Sequence, residues 1–166
     1  MNIKGLILAG IVSSTISCQS VKNKAVSFDN YPIPNGSLTE MDYSPRETKF
    51  SLWSPVAEEV EVLLYESGHE GSAYQTFPMK KGTDGTWNVS VKEDLHGMFY
   101  TFNVKVDGKW LGDTPGIMAK AVGVNGKRAA VIDLDTTDPE DWENDVRPTL
   151  NSFADVIIYE MHHRDF

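Results

Sequence analysis

Hydrophobic and polar residues alternate with a period of two over most of the chain after Tyr43. The clearest runs are residues 49–52, 59–64, 87–92 and 100–106. Alternation of this kind places one set of side chains against a core and the other set in solvent, as in half-buried β-strands. Turn sequences such as Asp107-Gly108 separate the runs. The pattern therefore predicts an all-β chain folded as an antiparallel β-sandwich.

The end of the chain has a different pattern. Residues 138–153 include an acidic stretch bounded by prolines, which is typical of a linker. Residues 154–161 then form a continuous apolar run, which is typical of a strand buried on both faces in a parallel sheet. Because a parallel strand needs a crossover connection and neighbours, we expect residues 154–166 to be the first strand of a second domain that is cut short.

The start of the chain has the pattern of a secretory signal. Lys4 precedes a short apolar stretch at residues 5–12, and small residues lead to Cys18. The apolar stretch is shorter than the roughly 20 residues of a membrane-spanning helix, but it matches the signal core of about 7–15 residues. The segment resembles a bacterial lipoprotein signal over residues 1–17, with Cys18 lipidated and residues 18–42 as a tether. An ordinary signal with an incidental cysteine is the alternative.

Charge and cysteine content narrow the function classes. The 24 acidic and 15 basic residues give a net charge of −9. Phosphate binding needs a basic face, and no cluster of lysine and arginine supplies one, so we expect no nucleic-acid partner. Cys18 is the one cysteine, which excludes an internal disulfide framework and a cysteine-based zinc site. The histidines are scattered, and we expect neither a metal nor a cofactor.

Seven segments resemble one enzyme family. In order they are FSLWSP (residues 50–55), VEVLLY (60–65), PMKKGTDGTWNVSV (78–91), DLHGMFYTFNV (94–104), AKAVGVNGKRAAVIDL (119–134), DPEDW (138–142) and IIYEMHHRDF (157–166). Together they resemble the N-terminal region of type I pullulanases, in the α-amylase superfamily (glycoside hydrolase family 13). The resemblance implies an immunoglobulin-like sandwich over residues 43–137, similar to family-48 carbohydrate-binding modules. It also implies that residues 154–166 are the first strand of a truncated catalytic (β/α)₈ barrel.

The resemblance implies an accessory role for this chain. The family cleaves α-1,6 linkages in pullulan and starch dextrins with two carboxylates, which lie on later barrel strands, so no catalytic residue is assigned here. Glu160 and Asp165 lie about 16 Å apart on an extended strand, too far for such a pair. The implied partners are α-glucan (pullulan, starch and branched dextrins), the protein's own barrel and, through the lipid, the membrane of a bacterial cell envelope. A free-standing starch-binding lipoprotein without enzymatic activity is the alternative function, and a purely structural β-sandwich is a third.

Sugar contacts would come from exposed tryptophans, because a glucose face stacks on a planar apolar ring. Trp110 follows the Asp107-Gly108 turn, and Trp53 falls on the opposite face from the apolar residues of its strand. These two are the candidate glycan-binding residues. Trp87 shares the apolar parity of its strand and is expected in the core, and Trp142 lies in the linker.

A glycine-rich basic segment includes Asn125, Lys127 and Arg128. It lacks the glycine spacing and the hydroxyl residue of a phosphate-binding loop, and its pattern indicates a turn. The resemblance implies that these three residues contact the catalytic barrel.

Overall fold

A computed structural model describes residues 27–162 and Arg164. The chain divides into two compact units, Met1–Tyr31 and Pro32–Phe166. The described part of the first unit contains one 3-10 turn at Phe28–Asn30. Cys18 and the predicted signal lie outside the described residues. Among the helices of the described part, none has the length and apolar character needed to cross a bilayer.

The second unit consists of two antiparallel sheets and carries no α-helix within its described residues. The strands are β1 (Met41–Ser44), β2 (Glu47–Trp53), β3 (Glu59–Tyr65), β4 (Gln75–Pro78), β5 (Lys80–Lys81), β6 (Thr86–Val91), β7 (Phe99–Val106), β8 (Lys109–Trp110) and β9 (Ala129–Ala130). One sheet has the strand order β1-β2-β6-β5; the other has the order β4-β3-β7-β8, and β9 also pairs with β7. This architecture confirms the predicted antiparallel immunoglobulin-like sandwich.

The core lies where alternate side chains of the two sheets meet. Phe50 from β2 packs against two aromatic rings of β7, with centroid distances of 5.0 Å to Tyr100 and 6.4 Å to Phe102. All three side chains are almost completely buried. Trp87 is also buried, as predicted, and its indole N–H donates to the carbonyl oxygen of Ser54 at 2.9 Å. The period-two pattern therefore identified the face of each long strand that enters the core.

The predicted Asp107-Gly108 turn joins β7 to β8. Both residues have positive φ angles, 49° and 72°, as the predicted type of hairpin requires. The Gly108 N–H also donates to the Glu58 carboxylate at 3.0 Å, which ties the turn to the start of β3. This hairpin fixes the register that places Trp110 directly opposite Lys105.

The apolar run after the linker forms no strand within its described residues, which contain a 3-10 turn at Phe153–Asp155. The side chains of Ile157 and Ile158 are 93% and 88% exposed. A strand needs a neighbour to pair its backbone N–H and C=O groups, and the described part of the chain supplies none for this segment. The assignment of residues 154–166 to a barrel strand stays a prediction.

Candidate functional site

Trp110 lies on the outer face of the second sheet. Its β8 position pairs with Lys105 of β7. Within β7, Phe102 and Val104 share one face, which is in or against the core. Lys105 belongs to the alternate positions and points to the opposite, outer side of the sheet. The tryptophan side chain is 42% exposed, so one ring surface is available to solvent while the strand pairing holds its backbone in place.

Polar side chains adjoin this ring on the same face. The ammonium nitrogen of Lys105 lies 5.9 Å from the centre of the Trp110 ring and 2.5 Å from the Glu59 carboxylate. That hydrogen bond and the charge of Glu59 raise the pKa of Lys105. The lysine therefore stays positively charged and is held beside the ring.

Asn103 and Glu61 continue the same face one pair further along the sheet, because they lie opposite each other in the β3–β7 register. The amide oxygen of Asn103 is buried and accepts no hydrogen bond within the described part of the chain. Burial, together with the negative charges of Asp113 and Glu59, raises the pKa of Glu61. The face thus combines hydrogen-bond acceptors with an ammonium and an amide as donors.

Such an arrangement can hold a neutral sugar. The apolar face of a glucose ring can stack on Trp110, and its hydroxyl groups can accept hydrogen bonds from Lys105 beside the ring. Sequence reasoning identified Trp110 but missed Asn103, Glu61 and Lys105. Their shared parity is visible in the sequence, whereas the register between β3 and β7 is not.

Trp53 has a different environment. It lies on β2 of the first sheet and is partly buried. Its indole N–H donates to the Pro32 carbonyl oxygen at 2.9 Å. The ring lines an apolar groove, whose lining residues do not include Trp110. The structure therefore does not combine the two candidate tryptophans in one site, and a glycan contact of Trp53 stays a prediction.

Arg128 is engaged inside the sandwich unit. Its guanidinium donates to the carbonyl oxygens of Ser67, Glu70 and Gly71 at 2.6–2.7 Å, and it stacks 3.7 Å from the centre of the Tyr65 ring.

The other two residues of the basic segment are on the surface. Asn125 and Lys127 are exposed, and Asn125 has a φ of 56° within a tight turn. Lys127 and Asn125 are therefore open to a partner, and the predicted contact with a barrel stays a prediction.

The described residues contain no group of three or more histidine, cysteine, aspartate or glutamate side chains placed to hold a metal ion.

Comparison with known proteins gives consistent matches. Residues 37–121 match the family model of carbohydrate-binding module 48 (isoamylase N-terminal domain). The pullulanase of Bacillus subtilis (strain 168) is 32% identical over 143 residues, which are 86% of this chain and 19% of that protein. Pullulanase 1, chloroplastic, of Arabidopsis thaliana is 29% identical over 136 residues, 75% of this chain and 14% of that protein. The chain thus spans less than a fifth of the length of these curated relatives.

Solved structures show the same similarity. The apo pullulanase from Paenibacillus barengoltzii matches with a TM-score of 0.77 and 45% identity, over 85% of this chain and 21% of that one. The same enzyme has been solved as a complex with maltohexaose and α-cyclodextrin. The pullulanase from Bacillus acidopullulyticus matches with a TM-score of 0.73 and 34% identity, over 82% of this chain and 17% of that one.

Proposed function

Because the chain belongs to the carbohydrate-binding module 48 family, we propose that it is the α-glucan-binding accessory domain of a starch-debranching pullulanase. Its similarity to pullulanases from several organisms supports the enzyme class. The complex of the Paenibacillus barengoltzii enzyme with maltohexaose and α-cyclodextrin supports α-glucan as the ligand class. On this proposal the domain holds pullulan, starch or branched dextrins while a catalytic barrel cleaves α-1,6 linkages.

One observation carries the binding role: the partly exposed ring of Trp110 lies beside the ammonium group of Lys105. A glucan chain laid on the ring would cover its apolar surface and bring sugar hydroxyls to the polar groups. The ammonium group of Lys105 can donate hydrogen bonds to those hydroxyl groups.

We expect Trp110→Ala to weaken binding of maltoheptaose about tenfold. Covering roughly 60 Å² of the ring at about 25 cal/mol per Å² contributes about 1.5 kcal/mol, which corresponds to that factor. Isothermal titration calorimetry on the purified chain measures the affinity. Trp142→Ala is the matched control, because Trp142 is 56% exposed and lies outside the site. Equal affinities for Trp110→Ala and the unmodified chain would refute this role of the ring.

The remaining parts of the proposal concern location and assembly. The signal-like residues 1–17 and the position of Cys18 support a lipid anchor in a bacterial cell envelope. The resemblance to pullulanases supports a contact between the barrel and the basic segment, where Asn125 and Lys127 offer exposed side chains.

We expect mature protein from native membranes to begin at Cys18 and to carry a diacyl or triacyl addition there. Intact-mass analysis measures this addition, and Cys18→Ala should release the protein from the membrane fraction. A mature protein that begins elsewhere and is unaffected by Cys18→Ala would exclude the anchor. Such a result would leave the glucan-binding proposal intact, because Trp110 belongs to the separate sandwich unit.

A further inference from the structure

An apolar groove of about 520 Å³ opens on the sandwich where β2 and β7 meet the segment after β8. Its size lies within the range of about 300–1,000 Å³ that is usual for ligand sites. Its walls include Leu38, Leu52, Val104, Val106, Leu111 and Met118.

Part of this wall is open to solvent: Leu111 is 68% exposed and Val56 is 48% exposed. These aliphatic walls offer no hydrogen-bond partners, and they suit the apolar side chains of a peptide segment.

Glu40 places a carboxylate in the lining of this apolar groove. The residue is only 2% exposed. One carboxylate oxygen accepts the Ile117 N–H at 3.3 Å, and the other accepts the Met118 N–H at 2.8 Å. A carboxylate offers about four acceptor positions, so these two bonds leave acceptor capacity unused.

No cation within the described part of the chain balances this charge, since none of its ion pairs includes Glu40. An incoming cation that also donates hydrogen bonds would be attracted to this carboxylate and would occupy its remaining acceptor positions. Arginine fits best, because its guanidinium presents several donors in one plane and its aliphatic stem packs on apolar walls. The net charge of −9 also favours a basic partner.

We propose that this groove docks an apolar segment of a partner protein through an arginine that pairs with Glu40. The aliphatic walls cover the neighbouring apolar side chains of the segment, and the carboxylate fixes the position of the guanidinium. This site is separate from the Trp110 face, since Trp110 is not among the residues that line the groove. The inference therefore does not depend on the proposed glucan binding.

Two capped peptides test the pairing: one has a single arginine between leucine and valine residues, and the other has citrulline, which is neutral, in its place. We expect the unmodified chain to bind the arginine peptide at least tenfold more tightly in calorimetric titration. Glu40→Gln should remove this preference. Glu93→Gln is the matched control, because it deletes the same charge at an exposed position outside the groove, and it should retain the preference. Equal binding of both peptides by the unmodified chain, or a preference that survives Glu40→Gln, would overturn the proposal.

Glu40 also anchors the segment at Ile117 and Met118. A second variant therefore tests the groove without changing Glu40. Leu111→Lys places a positive charge on the groove wall at a side chain that is 68% exposed. The strand-like bond from the Leu111 N–H to the Val104 carbonyl involves only the backbone and remains. We expect an unchanged melting temperature and at least a tenfold loss of affinity for the arginine peptide. Full affinity in a folded Leu111→Lys chain would place the peptide elsewhere and overturn the proposal.

Discussion

Replacing Phe50 with alanine is expected to lower the free energy of unfolding by about 3–5 kcal/mol, the cost of removing a large aromatic side chain from a packed core. Phe50 has no exposed surface, and it connects the two sheets through its contacts with Tyr100 and Phe102. The lost ring would leave a cavity between β2 and β7, which adds to the cost of the lost burial. Urea-induced unfolding followed by tryptophan fluorescence measures the change.

Phe153→Ala is the matched control, because it makes the same chemical change at a side chain that is 93% exposed. We expect its effect to stay within about 0.5 kcal/mol, as is usual for surface substitutions. A loss below about 1 kcal/mol for Phe50→Ala would contradict the central position that the structure gives this ring.

The long strands were predictable because their signal is local. Alternation along residues 49–52, 59–64, 87–92 and 100–106 marks one face of each strand without any knowledge of its neighbours. These runs match β2, β3, β6 and β7, and only Lys92 extends past the end of its strand. The two-residue strands β5, β8 and β9 are too short to show a period, and their pairing with longer strands is what defines them.

The candidate site was predictable only in part, because only some of its features are local in the sequence. The exposure of Trp110 follows from its place after a tight turn, which is a local feature. Its polar neighbours depend on the register that pairs Glu59 with Lys105 and Glu61 with Asn103, residues more than 40 positions apart in the chain. No local pattern encodes that register, so the sequence indicated a ring without the hydrogen-bonding groups beside it.

Arg128 shows how a local pattern can leave a side chain's partners undetermined. Its glycine-rich, basic neighbourhood indicates an exposed turn, which suits a contact with another domain. The structure instead directs the guanidinium to carbonyl oxygens 57–61 positions earlier in the chain. Close backbone packing makes this possible: a side chain at Gly123 would lie within 2.4 Å of the Gly68 carbonyl oxygen. Only the folded chain brings these two segments together.

Arg128→Ala is expected to lower the free energy of unfolding by about 2 kcal/mol, because it removes three charge-assisted hydrogen bonds and the stacking on Tyr65. The expected loss of stability is smaller than the sum of three separate charge-assisted hydrogen bonds, since two of the three lie at the exposed surface. Arg128→Lys should recover only part of the loss, because an ammonium group cannot reach three carbonyls in one plane and stack on a ring. Urea-induced unfolding of the purified chain compares the variants.

Lys127→Ala is the control for Arg128→Ala, because it removes an equal charge from the adjacent exposed position, and its effect should stay within about 0.5 kcal/mol. If Arg128→Ala were no more destabilising than Lys127→Ala, the hydrogen bonds to the 67–71 loop would contribute little to stability. The guanidinium would then be free to leave that loop, and the predicted contact of all three basic-segment residues with a barrel would gain support. If the stability loss is as large as expected, Asn125 and Lys127 remain the residues of this segment available to such a contact, because Arg128 is needed to hold its own domain together.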